Sequence, residues 1–158
     1  MKIKNNYILA FCAALLAVLC VLSVSTPLTF QREKQQRETE VKCYLRAIRT
    51  AEARYLQAHG NYTDRFGTLA KEGLLPDSVQ YIPYSGGKRF HLAVSVQITK
   101  GCNRVPLMEC SATYEDYLRG LDASQIANIT EAANNESRFA GLKIGDLTTP
   151  NNNAGNWE

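Results

Sequence analysis

The sequence predicts an α+β protein: a transmembrane helix at the N-terminus, a long amphipathic spine helix, then a small antiparallel β-meander with short helices. Three observations carry this. An uncharged run, YILAFCAALLAVLCVLSV, extends from Tyr7 to Val24. Apolar residues then recur at three- and four-residue steps through Val41, Tyr44, Leu45, Ile48, Ala51, Tyr55 and Leu56, as one face of a helix requires. Further on, Phe90, Leu92, Val94, Val96 and Ile98 alternate with His91, Ala93, Ser95 and Gln97, the pattern of a strand with one wet face.

The opening run sets the expected compartment. A helix of ~18 residues rises about 27 Å, close to the ~30 Å hydrocarbon core of a bilayer. Lys2 and Lys4 precede the run, and the positive-inside rule keeps them in the cytoplasm. The expected division is a cytoplasmic N-terminus at 1–6, a membrane anchor at 7–25, a stalk and spine helix at 28–59, an α+β domain at 60–147 and a tail at 148–158. This makes the chain a single-pass membrane protein, with lipid as a partner through Tyr7–Val24 and its C-terminal domain outside the cytoplasm. Two other readings stay open. One is a cleaved signal peptide, with small Ser23 and Ser25 before a cut at Thr26, which makes a secreted protein. The other is a lipoprotein modified at Cys20, although Leu19 stands where a small residue is expected. All three put the globular part outside the cytoplasm.

Pro27 offers a helix stop or kink. From Gln31 to Glu40 no side chain is apolar, and the pairs Glu33/Arg37 and Glu38/Lys42 place acid four residues before base, which favours a solvated helix. One helix is expected from about Leu28 to Ala58, ended at Gly60-Asn61. Cys43 lies on it as an expected core residue. A short helix with Phe66 and Leu69 inward, capped by Asp64 or Thr63, ends at Gly73 and Pro76. Strands are expected at Val79–Tyr84, Lys88–Thr99 and Arg104–Ser111, with Pro106 implying an edge or a bulge. A helical turn at Tyr114–Leu121, a helix at Asp122–Ala133 and a last strand at Gly141–Leu147 follow. Trp157, the one tryptophan, is expected to pin down the tail.

The run AIRTAEARYLQAHGNYTDRFGTLAKEGLLP, with Tyr55, Gly60, Tyr62, Leu69 and Gly73-Leu74, resembles the spine-to-loop region of type IV pilin-like proteins. LTFQREKQQRETEV, YIPYSGG, GLKIGDL and PNNNAGNWE resemble membrane-anchored or exported Bacteroidetes proteins of unknown function with such a pseudopilin-like domain. The resemblance implies the fold, and with the anchor it implies a bacterial inner membrane, a cytoplasmic N-terminus and a periplasmic C-terminal domain. It does not extend to filament processing, because Asn6 precedes the run and no acid occurs before Glu33. The tail also resembles the calcium loop of major pseudopilins, which would draw Ca²⁺ ligands from Asp146, Asn151 and Asn153. Asp77-Ser78-Val79 resembles the triplet on which Bacteroidetes attach O-glycans, so Ser78 is a candidate acceptor.

Few residues point to chemistry. Of five cysteines, Cys12 and Cys20 lie in the apolar run. Cys102 and Cys110 are a candidate disulfide in an oxidising compartment, against which stands the placement of one at a turn and the other well along a strand. His59 and His91 fall on different elements and lack an evident partner base or acid. No nucleophile-elbow, zinc-protease, phosphate-loop or dinucleotide motif occurs. Apart from Lys2 and Lys4, the 18 Lys and Arg nearly balance the 15 Asp and Glu. That argues against a nucleic-acid partner. The expectation is a non-enzymatic structural or interaction subunit, in a secretion-type or envelope assembly, with other envelope proteins as partners and no cofactor besides the Ca²⁺ named above. A periplasmic module binding glycan or peptide through Tyr62, Tyr81, Tyr84, Tyr114 and Tyr117 is the alternative; no small-molecule substrate is expected otherwise.

Overall fold

The computed structural model describes residues 5–98 and 103–158, without the side chains of 5–6 and 21–27. It is an α+β protein with a long helix and a three-stranded antiparallel sheet. Helix α1 spans Asn5–His59. The helix runs through Pro27, where a stop or kink was expected. The chain divides into two compact units, Met1–Gln35 and Gln36–Glu158.

In the first unit, Tyr7, Leu9 and Phe11 are 70%, 73% and 69% exposed. Among the described residues no helix is long and apolar enough to cross a membrane. The described side chains of the apolar run are those of 7–20, and 21–24 lie outside them.

In the second unit, α1 buries Val41, Leu45, Ile48, Ala51 and Glu52, a three- and four-residue repeat. Cys43 is a correction: it is exposed, because it falls two residues either side of Val41 and Leu45 and so on the opposite face. Helix α2, Phe66–Lys71, buries Phe66 and Leu69. Its N-cap is Arg65, without a side-chain cap, while Thr63 Oγ1 accepts from the Arg65 amide one step earlier.

The expected strand at Val79–Tyr84 does not form. Asp77–Gln80 is a 3-10 turn, and only Tyr81 makes an isolated bridge, to Arg89. Pro83 and the left-handed backbone of Tyr84, φ 63°, turn the chain before a strand can extend. Strand β1 is His91–Ile98, β2 is Arg104–Thr113 and β3 is Gly141–Gly145, in the order β1-β2-β3. The register pairs Leu92 with Cys110 and Cys110 with Ile144. One face of the sheet carries the buried Met108, Cys110, Ala112, Leu142 and Ile144.

Pro106 lies in the central strand, opposite Val96. β3 reaches only to Glu109, so near Pro106 β2 has a neighbour on one side alone and the missing N–H breaks no ladder. Between β2 and β3 come α3, Tyr114–Tyr117, closed by a capping box of Thr113 and Asp116, and α4, Ala123–Asn135, capped by Asp122. The tail folds back on the sheet through the bridge Ile144–Gly155.

Candidate functional site

The three candidate calcium ligands lie in the turn after β3 and in the tail. Asp146 Oδ1 accepts from the Thr148 hydroxyl and from the amides of Thr148 and Thr149, and Oδ2 lies 3.7 Å from Lys143 Nζ. The Thr148 hydroxyl first, then the two amides, holds this carboxyl well below the usual carboxylate range. Asn153 gives its amide to the Tyr62 hydroxyl at 2.8 Å, and Asn151 is exposed. Among the described residues no cluster of three His, Cys, Asp or Glu could hold a metal. The arrangement serves a turn: it fixes Asp146–Thr149 beside β1, where Leu147 O accepts from Ser95 Oγ and Thr148 O from Gln97 Nε2.

Cys102 lies outside the described residues, and with it the Cys102–Cys110 pair. Cys110 is a free, fully buried thiol, and burial first, then the charges of Glu52 and Glu109, pushes it far above its usual range. Such a thiol is a poor nucleophile. His59 Nε2 pairs with Glu72 at 3.0 Å and stacks on Tyr55, while His91 stands exposed on β1. Ser78 is exposed in the 3-10 turn, accessible to modification.

Of the five tyrosines, Tyr114 and Tyr117 meet edge to face with ring centroids 6.0 Å apart. Tyr117 is fully buried, its hydroxyl 3.3 Å from Glu38. Tyr84 is the one that stands out, 45% exposed. Its hydroxyl donates to Glu40 at 2.7 Å, and the Arg37 guanidinium lies 4.5 Å above its ring. Arg37 also donates to the carbonyls of Tyr117 and Arg119, so this cluster ties α1 to the loops.

Glu52 is the residue that pattern reading missed. It continues the buried stripe of α1 and is fully buried. Oε2 accepts from the Thr63 amide at 3.1 Å, and Oε1 has no partner. Burial pushes the carboxyl up to about 7, the Thr63 bond pulls it back, and Asp64 adds to the rise. The available signal was its place: four residues beyond Ile48 and directly after Ala51, an acid sits on the apolar face.

Two surface features remain. A recess of about 510 Å³ opens between Arg65 and Phe66 on one side and Arg89, His91 and Leu92 on the other. Beyond it β1 runs uncharged along the sheet edge, with Val96 51% and Ile98 72% exposed. No family model, curated protein or solved structure matches the chain.

Proposed function

We propose that this chain is a membrane-anchored interaction subunit. Its first helix sits in the bacterial inner membrane and carries a small pilin-like α+β module in the periplasm. There it contacts other envelope proteins in a secretion-type or envelope assembly. The supporting observation is the run of large apolar side chains left exposed in the first unit, among them Tyr7, Leu9, Phe11 and Leu16.

Burying each such side chain is worth about 1.5–3 kcal/mol. Leaving a run of them in water forfeits on the order of ten kcal/mol, which a bilayer returns. The order of elements, a helix of 55 residues leading into a three-stranded antiparallel sheet, supports the pilin-like part. The contacts of Arg37, Arg49 and Asp146 tie loops and tail to the helix and the sheet, which favours a structural reading.

Alkaline carbonate washing of isolated membranes is the test. The chain should stay in the pellet, and N-terminal sequencing should begin at or near Met1. Quantitative release, or a start at Thr26, would overturn the anchor.

A further inference from the structure

Among the described residues β1 is an edge strand with no charge, proline or bulge along it. Among the described residues it has a strand neighbour on one side only, β2. Exposed edges in stable monomers usually carry lysine, proline, a bulge or an inward charge. HLAVSVQI has no formal charge, proline or glycine, and its register with β2 runs without a bulge from His91–Ser111 to Ile98–Arg104. Its outer end also presents Val96 and Ile98 to solvent.

The direction of the free amides follows from two contacts. The Phe90 amide donates to Gln80 O, away from β2. Backbone groups alternate along a strand, so Leu92, Val94, Val96 and Ile98 point their N–H and C=O the same way. Pro106 agrees with this: it faces Val96 and has no N–H to offer. The Tyr81 segment occupies the edge only as far as Phe90.

We infer that β1 pairs antiparallel with β1 of a second copy of this chain, about a two-fold axis through Ser95, to give a continuous six-stranded sheet. This register is the one that pairs the four free residues among themselves. Val94 meets the partner's Val96, and Leu92 meets the partner's Ile98. Both exposed side chains then lie beside apolar neighbours, and every outward amide finds a carbonyl. A second copy is favoured as occupant because an uncharged strand meets itself without like-charge repulsion, and the apolar positions match in both directions. The inference rests on the reading of the chain as an interaction subunit, and it is independent of the anchor.

Ser95 faces its own counterpart in a non-hydrogen-bonded pair, where Cα atoms approach to about 4.5 Å, within disulfide range. The test uses the full chain in detergent micelles with Cys12→Ser, Cys20→Ser, Cys43→Ser and Cys102→Ser, leaving the buried Cys110. Ser95→Cys should form a reducible dimer under mild oxidation, at least tenfold faster than Gln57→Cys on the outer face of α1. Ala93→Cys and Gln97→Cys should cross-link to each other in a mixture and neither to itself. Val96→Lys added to Ser95→Cys should abolish the dimer while circular dichroism stays unchanged.

Cross-linking of Ser95→Cys no faster than Gln57→Cys would overturn the pairing, as would equal cross-linking of all variants. A membrane-bound chain that stays monomeric while co-purifying with a different envelope protein would overturn it and leave the interaction reading standing. A carbonate-released chain with the Ser95→Cys dimer intact would remove the anchor and keep the pairing.

Discussion

The Thr63 amide donates to a carboxylate oxygen of Glu52 at 3.1 Å, joining the loop after α1 to a charge-bearing group in the core. The folded carboxyl titrates at about 7 against 4.5 in the unfolded chain. Between these values the folded state holds more protons, so stability falls as pH rises through the window and the loss is complete above it. The gap corresponds to roughly 3 kcal/mol. Glu52→Gln keeps an acceptor for Thr63 and removes the charge. Chemical denaturation should show the variant more stable than wild type at pH 8 by up to about 3 kcal/mol, with the advantage gone at pH 4. An equal advantage at both pH values would refute a titrating Glu52.

Tyr84 holds a left-handed backbone, φ 63°, that a residue with a Cβ adopts at a cost of about 1 kcal/mol. Its ring contacts offset that cost. Tyr84→Phe should lower stability by about 0.5–1 kcal/mol, the worth of an exposed hydrogen bond. Tyr84→Ala should lose more, because the strain stays while both contacts go. Tyr84→Gly should recover about 1 kcal/mol of the alanine loss. Equal melting temperatures for the alanine and glycine variants would remove strain from the account.

Gly145 ends β3 with φ 72°, and a Cβ there would run into the Met108 carbonyl oxygen of the neighbouring strand. Gly145→Ala should cost more than about 2 kcal/mol and release the end of β3. Gly67 in α2 is the control: its added Cβ meets nothing within 4 Å, so Gly67→Ala should be neutral or stabilise by up to about 1 kcal/mol. Thermal unfolding of the pair should separate them by several degrees.

Arg49 donates to both carboxylate oxygens of Glu158 at 3.0 Å and to Asn153 O at 3.3 Å. The pair is partly exposed, so Arg49→Ala should change global stability by no more than about 1 kcal/mol. Its effect should be local: faster hydrogen exchange and proteolysis at Asn151–Glu158, with β2 unaffected. Exchange that rises equally in β2 and the tail would refute a local tie.

Periodicity made the main elements legible. The alternation from Phe90 to Ile98 and the repeat of Val41, Leu45 and Ile48 needed no tertiary knowledge, since each side chain's direction follows from the element's own period. What escaped depended on contacts distant in sequence. Val79–Tyr84 has strand composition, yet Tyr84 turns back toward Glu40 on α1. Cys43 is apolar enough to suit a core but sits off the buried stripe. The contacts of Asp146 with Thr148, Thr149 and Lys143 depend on how the chain turns after β3, which no local pattern shows. Glu52 shows in the sequence only as an acid on the apolar stripe, since its burial is set by what packs around it.

The chain has one tryptophan, and Trp157 lies half-buried with its indole nitrogen enclosed and Lys42 5.7 Å from the ring. Its emission therefore comes from one point on the molecule. Detachment of the last residues from the helix should shift that spectrum to the red without any added dye. The same cuvette can then report whether the tail lets go before the sheet melts or together with it.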